Sequence, residues 1–391
     1  MAALTTTQVA SLTTTQVSGL STTQLNSLET TDIAALSTTQ LGAVTTTQAA
    51  GLSTTALGAI ETTDLATLST TTLNALTTTN VAALSTTQVS SLTTTQVSGL
   101  STTQLNALQT TDLAALSVTQ VQSLTTTQVV GLSTTQLNAL ETTDLGSLTA
   151  TQIAGLSTTQ AAALTTTNLA VLTTTQIVAL ETTDLNALTT TQVAALSTTQ
   201  VASLSTAQMA GLSTTQVGAL ETTDVAALTT TQMGSITSTQ AGALSTTTLG
   251  ALTATEIGAL STTAVNGLTT TNVAALSTTQ VGGLSTTQLA GLTTTVFSAI
   301  ESTDIALLTT TQIGALTSAS IESLTTTQAN KLTTTQIASL TTTQLDGLQT
   351  TDIYALTSVQ AAAFDGTQVG SFDADQLNAY SWANSGSNTN T

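Results

Sequence analysis

Leu20 to Ser27 reads LSTTQLNS, and the chain around it is a series of variations on those eight residues. Counted in eights from Leu4, forty-seven consecutive copies run to Ala379 with no insertion or deletion. With the residue equivalent to Leu20 as position one, that position is Leu in forty-one copies. The others have Val44, Ile60, Ile236, Ile300, Phe364 and Phe372. Position six is always apolar, as in Val9, Leu25 and Ile33. Position two is Ser or Thr in thirty-seven copies, and position five is Gln in twenty-nine and Asp in eight. Positions seven and eight are small. A period this strict and this short decides the fold class before any other feature is read.

A continuous helix does not fit. Eight residues make about 2.2 turns, so an apolar stripe would drift by roughly 80° per copy. A flat strand fits no better, because positions one and six have opposite parity and would face opposite sides. One short helix per copy satisfies the pattern. Ser or Thr at position two with Gln or Asp three residues on is the spacing of a capping box. Position one then precedes the cap, and position six is the fourth helical residue, so the two form a hydrophobic staple. Position six and the next copy's position one are three apart and share a face.

Helices of about six or seven residues are too short to stand alone. They are expected to coil around a common apolar seam, giving an all-α solenoid in which each copy is stabilised by its neighbours. The competing arrangement is a β-solenoid, favoured by the abundance of Thr, Val and Ile. The capping pairs, the frequent Ala and the lack of regularly spaced turn residues argue for helices.

Composition narrows the function. The 391 residues contain no Cys and no His. Thiolate metal sites and the commonest general base are therefore absent. Lys331 is the only cation, against a net charge of −19. That excludes binding to a nucleic-acid backbone. No apolar run reaches the length of a membrane span. Hydroxyls are plentiful, but none has a base beside it in the sequence pattern, so no enzyme is expected and no catalytic or cofactor-binding residue is assigned.

Some copies carry an acidic box, with Glu and Asp replacing the usual Ser and Gln. The pairs are Glu29/Asp32, Glu61/Asp64, Glu141/Asp144, Glu181/Asp184, Glu221/Asp224 and Glu301/Asp304. Gln109/Asp112 and Gln349/Asp352 are related. The mean spacing is five copies, or forty residues, if Glu256 is counted with them. This reflects either duplication of forty-residue blocks or a coil that returns to one azimuth every five copies. Asp in a first helical turn is favourable against the helix dipole. Carboxylates stacked from successive turns would alternatively suit a hard cation such as Ca²⁺. Those twelve residues are the only metal candidates.

The end differs. Residues 1–359 are near-uniform repeats, 360–380 carry Phe364, Phe372 and Tyr380 at position one, and 381–391 read SWANSGSNTNT. The aromatic copies, with Trp382, are expected to seal the seam and to be the contacts through which copies of the chain assemble. The last stretch is expected to be a polar, flexible tail.

The octad Leu4–Ser11, LTTTQVAS, resembles the Thr- and Ala-rich short tandem repeats of large exported proteobacterial surface proteins of adhesin-like type. The resemblance covers nearly the whole chain and implies an extracellular structural role without an active site. The acidic, aromatic, Ser- and Asn-rich end is similar to the uncleaved C-terminal signals of type I secreted bacterial proteins. No basic, cleavable N-terminal signal is visible. The expectation is a secreted structural repeat rod that polymerises with itself into a filament, sheath or matrix. Its alternatives are a rod binding ice or glycans through rows of exposed Thr, and a cytoplasmic location.

Overall fold

The computed structural model describes residues 4–386. Among the described residues there are forty-seven helices, one per copy, and no strand. They are numbered with their copies, from α1 (Thr6–Ala10) to α47 (Ala374–Asn384). The all-α solenoid expected from the octad is the observed fold, and the β-solenoid is not.

Most helices start as the capping box dictates. In α2 (Thr14–Ser18), the Gln16 N–H donates to Thr13 Oγ1 at 3.2 Å. Gln16 Oε1 accepts from the Thr13 N–H at 2.8 Å. The cap residue is extended, as at Thr93 (φ −72°, ψ 157°). Where a helix runs to position eight, the following position-one residue is extended too, as at Leu100 (φ −65°, ψ 142°). Two extended residues turn the chain into the next helix without a loop. From α1 to α46 the helices are four to six residues long, shorter than the six or seven the sequence suggested. The last turn is tightened by bonds of the three-residue type, such as Leu12 N–H to Val9 O at 3.1 Å. Such tightening uses carbonyls that a helix end leaves unpaired.

The chain forms two compact units, Met1–Leu196 and Ser197–Thr391, divided within the repeat array. Away from the first and last copies, position six is buried in each unit and position one nearly always so, as at Val129 and Leu132 in the first unit and Ile313 and Leu316 in the second. These residues are the seam. Within each unit a helix packs on the helix three copies away, as α12 (Thr94–Gly99) does on α15 (Val118–Ser123) and α41 (Thr326–Lys331) on α44 (Thr350–Ala355). Hydrogen bonds between successive turns join residues 25 to 31 apart. One turn of the solenoid therefore takes between three and four copies. Forty residues overshoot that turn, so the spacing of the acidic boxes does not return them to one azimuth.

Small residues at position eight allow this stacking. A Cβ on Gly267 would stand 2.1 Å from the Ser238 carbonyl oxygen, and one on Gly51 2.5 Å from Thr22 Cγ2. Position eight thus meets position three of the previous turn.

The final helix departs from the pattern. α47 does not break at Tyr380 but runs eleven residues to Asn384. Composition alone places the polar tail from residue 381. The helix takes in Ser381–Asn384, because Ala383 is buried and Trp382 packs edge-on against Tyr354 at 5.3 Å. Residues 387–391 of that stretch lie outside the described residues.

Candidate functional site

The chemically distinctive feature is the polar layer at position five. Gln does more there than complete the cap. Its Oε1 accepts the cap N–H of its own copy, and its Nε2 donates to main-chain carbonyls of the turn beneath. Gln128 Nε2 donates to Val97 O and Leu100 O, both at 2.8 Å. Gln344 Nε2 donates to Ile313 O at 2.7 Å and Leu316 O at 2.8 Å. Equivalent bonds, to residues 30 or 31 and 28 positions back, recur from Gln40 to Gln376. The amides are buried, and carbonyls at the end of one helix are paired by the cap of another. Asn replaces Gln in this role at Asn272, which donates to Leu244 O at 2.8 Å.

A second ladder runs through position seven. Asn26 Nδ2 donates to Gly51 O at 2.7 Å, and Asn26 Oδ1 accepts from the Ser53 N–H at 2.8 Å. Asn266 bonds Gly291 O and the Thr293 N–H, each at 2.8 Å. In both cases position five of the upper copy is apolar, Ala56 or Val296, and cannot accept from its own cap. The Asn of the turn beneath supplies the missing acceptor.

Asp at position five has an acceptor's chemistry in a donor's place. The acidic pairs Glu29/Asp32, Glu61/Asp64, Glu141/Asp144, Glu181/Asp184, Glu221/Asp224 and Glu301/Asp304 are split by the fold: each Glu is exposed and each Asp is buried. Glu29, Glu61, Glu141, Glu181 and Glu301 make no side-chain cap bond. Among the described residues no three acidic side chains converge to hold a metal ion. Each Asp is turned into the layer between turns while its Glu stays outside it.

Four of the Asp residues receive a hydroxyl from position three of the turn beneath. Thr6, Thr86, Thr198 and Thr278 donate to Asp32, Asp112, Asp224 and Asp304 at 2.9 to 3.1 Å. Opposite Asp144 that position is Val118, which has no hydroxyl. Burial first, and then the neighbouring Glu, pushes Asp64, Asp144 and Asp184 above the ordinary carboxyl value. The Glu141 and Glu181 main-chain N–H groups offset this at Asp144 and Asp184. Burial alone pushes Asp352 up to about 6.

At the other end of the chain, Phe364, Phe372 and Tyr380 pack as a triangle with ring centroids 5.2 to 6.1 Å apart. Phe364 is buried, Phe372 and Tyr380 are half-buried, and Trp382 is 40% exposed. The cluster packs around the buried Phe364, and Trp382 with Tyr354 remains at the surface.

The sequence pointed to position five only as half of a cap. Its second role needed the turn length. The Asn–Gly separation of twenty-five residues, seen at 26/51, 74/99, 106/131 and 266/291, was the available signal.

One helix per octad, a shared seam and an amide ladder between turns define a helical-repeat solenoid. The stretches 57–94, 106–142, 137–174, 177–214, 217–254, 266–294 and 297–334 match the ALTTAQ repeat. They cover well over half of the chain, and the protein belongs to that repeat family. The motif is legible at Ala187–Gln192, ALTTTQ. No curated protein matches the chain, and no solved structure does. Among the described residues no helix is long and apolar enough to cross a membrane.

Proposed function

We propose that the protein is a structural repeat protein that assembles with copies of itself, outside the cell, into a filament, sheath or matrix. One observation carries the reading. Gln8, Gln16 and Gln24, in the first turn, accept their own cap N–H groups as later Gln residues do. They are exposed, and among the described residues their Nε2 groups donate to no carbonyl. From Gln40 on the equivalent amides are buried on the turn beneath. Three amide donors in repeat register fit an occupant with main-chain carbonyls in the same register. Another copy of the chain has that register, and its aromatic end (Phe364, Phe372, Tyr380 and Trp382) supplies apolar surface for a head-to-tail contact. Such a contact propagates rather than closing. The resemblance to repeats of exported adhesin-like proteins, and a single Lys or Arg in 391 residues, support an extracellular setting.

The test replaces the donors without removing the caps. Glu at position five still accepts the cap N–H, as Glu256 Oε2 does from Thr253 at 2.6 Å, but donates nothing. Wild-type protein should form concentration-dependent assemblies by sedimentation and electron microscopy. The triple variant Q8E/Q16E/Q24E should remain folded by circular dichroism and lose them. Wild-type protein that stays monomeric at high concentration, across salt and Ca²⁺ conditions, overturns the reading. The exposed hydroxyls of positions three and four, as at Thr158 and Thr159, would then favour a binding surface for ice or glycans.

A further inference from the structure

Asp352 is the least accommodated group in the polar layer. Its residue is 1% exposed, and its Oδ2 is buried with no hydrogen-bond partner. The copies on either side carry Gln344 and Gln360, each donating to two main-chain carbonyls of the turn beneath. The repeat register puts Asp352 opposite the carbonyls of Ile321 and Leu324. A carboxylate there offers only lone pairs to lone pairs, whereas a carboxylic acid has one O–H to give. Thr326 occupies the place from which Thr6, Thr86, Thr198 and Thr278 donate to their Asp, yet makes no such bond to Asp352.

The surroundings supply no charge to offset this. α44 is seated between α41 and α47. The ionisable side chains on these elements and their neighbours are Glu322 on α40 (Ser318–Glu322), Lys331 on α41, Asp346 after α43 (Thr342–Leu345), Tyr354 on α44 itself, Asp365 before α46 (Gly366–Gly370), and Asp373, Asp375 and Tyr380 at α47. Glu322, Lys331, Asp346, Asp373 and Asp375 are all exposed. Position two of the same copy is the neutral Gln349, whose Nε2 is already committed to Glu322 O at 3.0 Å. Tyr354 lies two residues on and carries the ring against which Trp382 packs.

We propose that Asp352 is a proton-operated latch on the last turns of the solenoid: in its acid form it donates to the carbonyls of the turn beneath, as Gln does in the flanking copies, and on losing its proton to solvent it releases that bond and loosens α44 together with the Tyr354–Trp382 contact. Burial raises the Asp352 pKa to about 6, so the latch is closed in mild acid and open at neutral pH. It acts within one molecule and stands whether or not copies join.

Trp382 is the only tryptophan and reports the contact directly. In dilute full-length protein, its emission should titrate between pH 5 and 7 with a midpoint near 6. Hydrogen exchange over residues 350–356 should rise several-fold across the same interval. Asp352→Asn and Asp352→Gln carry a permanent amide donor, and the second restores the residue found in most copies. Both should hold the acid-form emission throughout, with the transition gone. A transition of the same midpoint in D352Q, or a flat wild-type profile with unchanged exchange, overturns the proposal. Light scattering on the same samples reports assembly separately, so failure of self-association leaves this result readable.

Discussion

Asn266 shows how single side chains hold one turn to the next. It satisfies a carbonyl and an N–H of the turn above at a copy whose own position five is Val296. Asn266→Ala should cost about 1–2 kcal/mol. It should also speed exchange of the Thr293 amide, because no other acceptor is at hand. Asn106→Ala should leave the equivalent amide, that of Ser133, protected, because Gln136 accepts from it at 3.2 Å. Equal exchange at Thr293 and Ser133 in the two variants would show the Asn ladder to be idle. Glycines separate in the same way. Gly267→Ala drives a Cβ into the Ser238 carbonyl and should destabilise by about 1–3 kcal/mol or more. Gly250→Ala, in α31 (Thr246–Gly250), meets nothing within 4 Å and should stabilise by about 0.5–1 kcal/mol. Thermal melts of the pair should move in opposite directions.

At the scale of the element, each helix is too short to persist and depends on two neighbours in space. The capping hydroxyl alone is worth about 1 kcal/mol. Thr125→Ala should therefore loosen only α16 (Thr126–Gly131). Gln128→Ala removes the cap acceptor and also strips the Leu100 carbonyl of its donor, while Val97 O keeps the Leu100 N–H. An unpaired buried carbonyl costs about 1–3 kcal/mol, so this variant should be the more damaging. Its hydrogen-exchange signature should be double, with faster exchange around residues 125–131 and around 97–101, and protection retained elsewhere. Leu188→Asp should give a similar local wound, larger because an unpaired carboxylate enters the seam. Loss of protection along the whole chain in either variant would rule out nearest-neighbour stability.

For the whole molecule, charge sets the dependence on pH. Asp64, Asp144, Asp184 and Asp352 all have folded values above 3.8. A group raised on folding binds its proton more tightly in the native state. Its stabilisation is complete below the unfolded value and is lost as pH rises through the folded one. For Asp352 that window runs from about 3.8 to about 6. Self-repulsion acts in the same direction, since nineteen net negative charges are carried with one cation. The apparent melting temperature should fall between pH 5 and pH 8. Added salt should recover part of the loss at pH 8, where screening matters most. The Asp352→Asn variant should show a shallower decline. A chain most stable at pH 8 would contradict the sign.

The eight-residue frame alone determined that each copy is a capped helix, because the cap, staple and seam are contacts within about eight residues of one another. Thr13 with Gln16, and Val9 with Leu12, are legible as a pair of letters at fixed spacing. The packing of Phe364 on Phe372, eight residues on, lies within the same reach. What waited on the tertiary structure was everything that depends on the length of a turn. Gln128 reaches Val97, Asn266 reaches Thr293, Gly267 lies on Ser238, and Asp32 is buried while Glu29 is not. These contacts span 25 to 31 residues, a distance set by the bend at each pair of extended residues at positions one and two. That bend accumulates over three to four copies, and small differences in it would pair different residues. The octad repeats the same letters in every copy, so it carries the cap in each one but leaves the partner of each side chain in the next turn to the geometry of the coil.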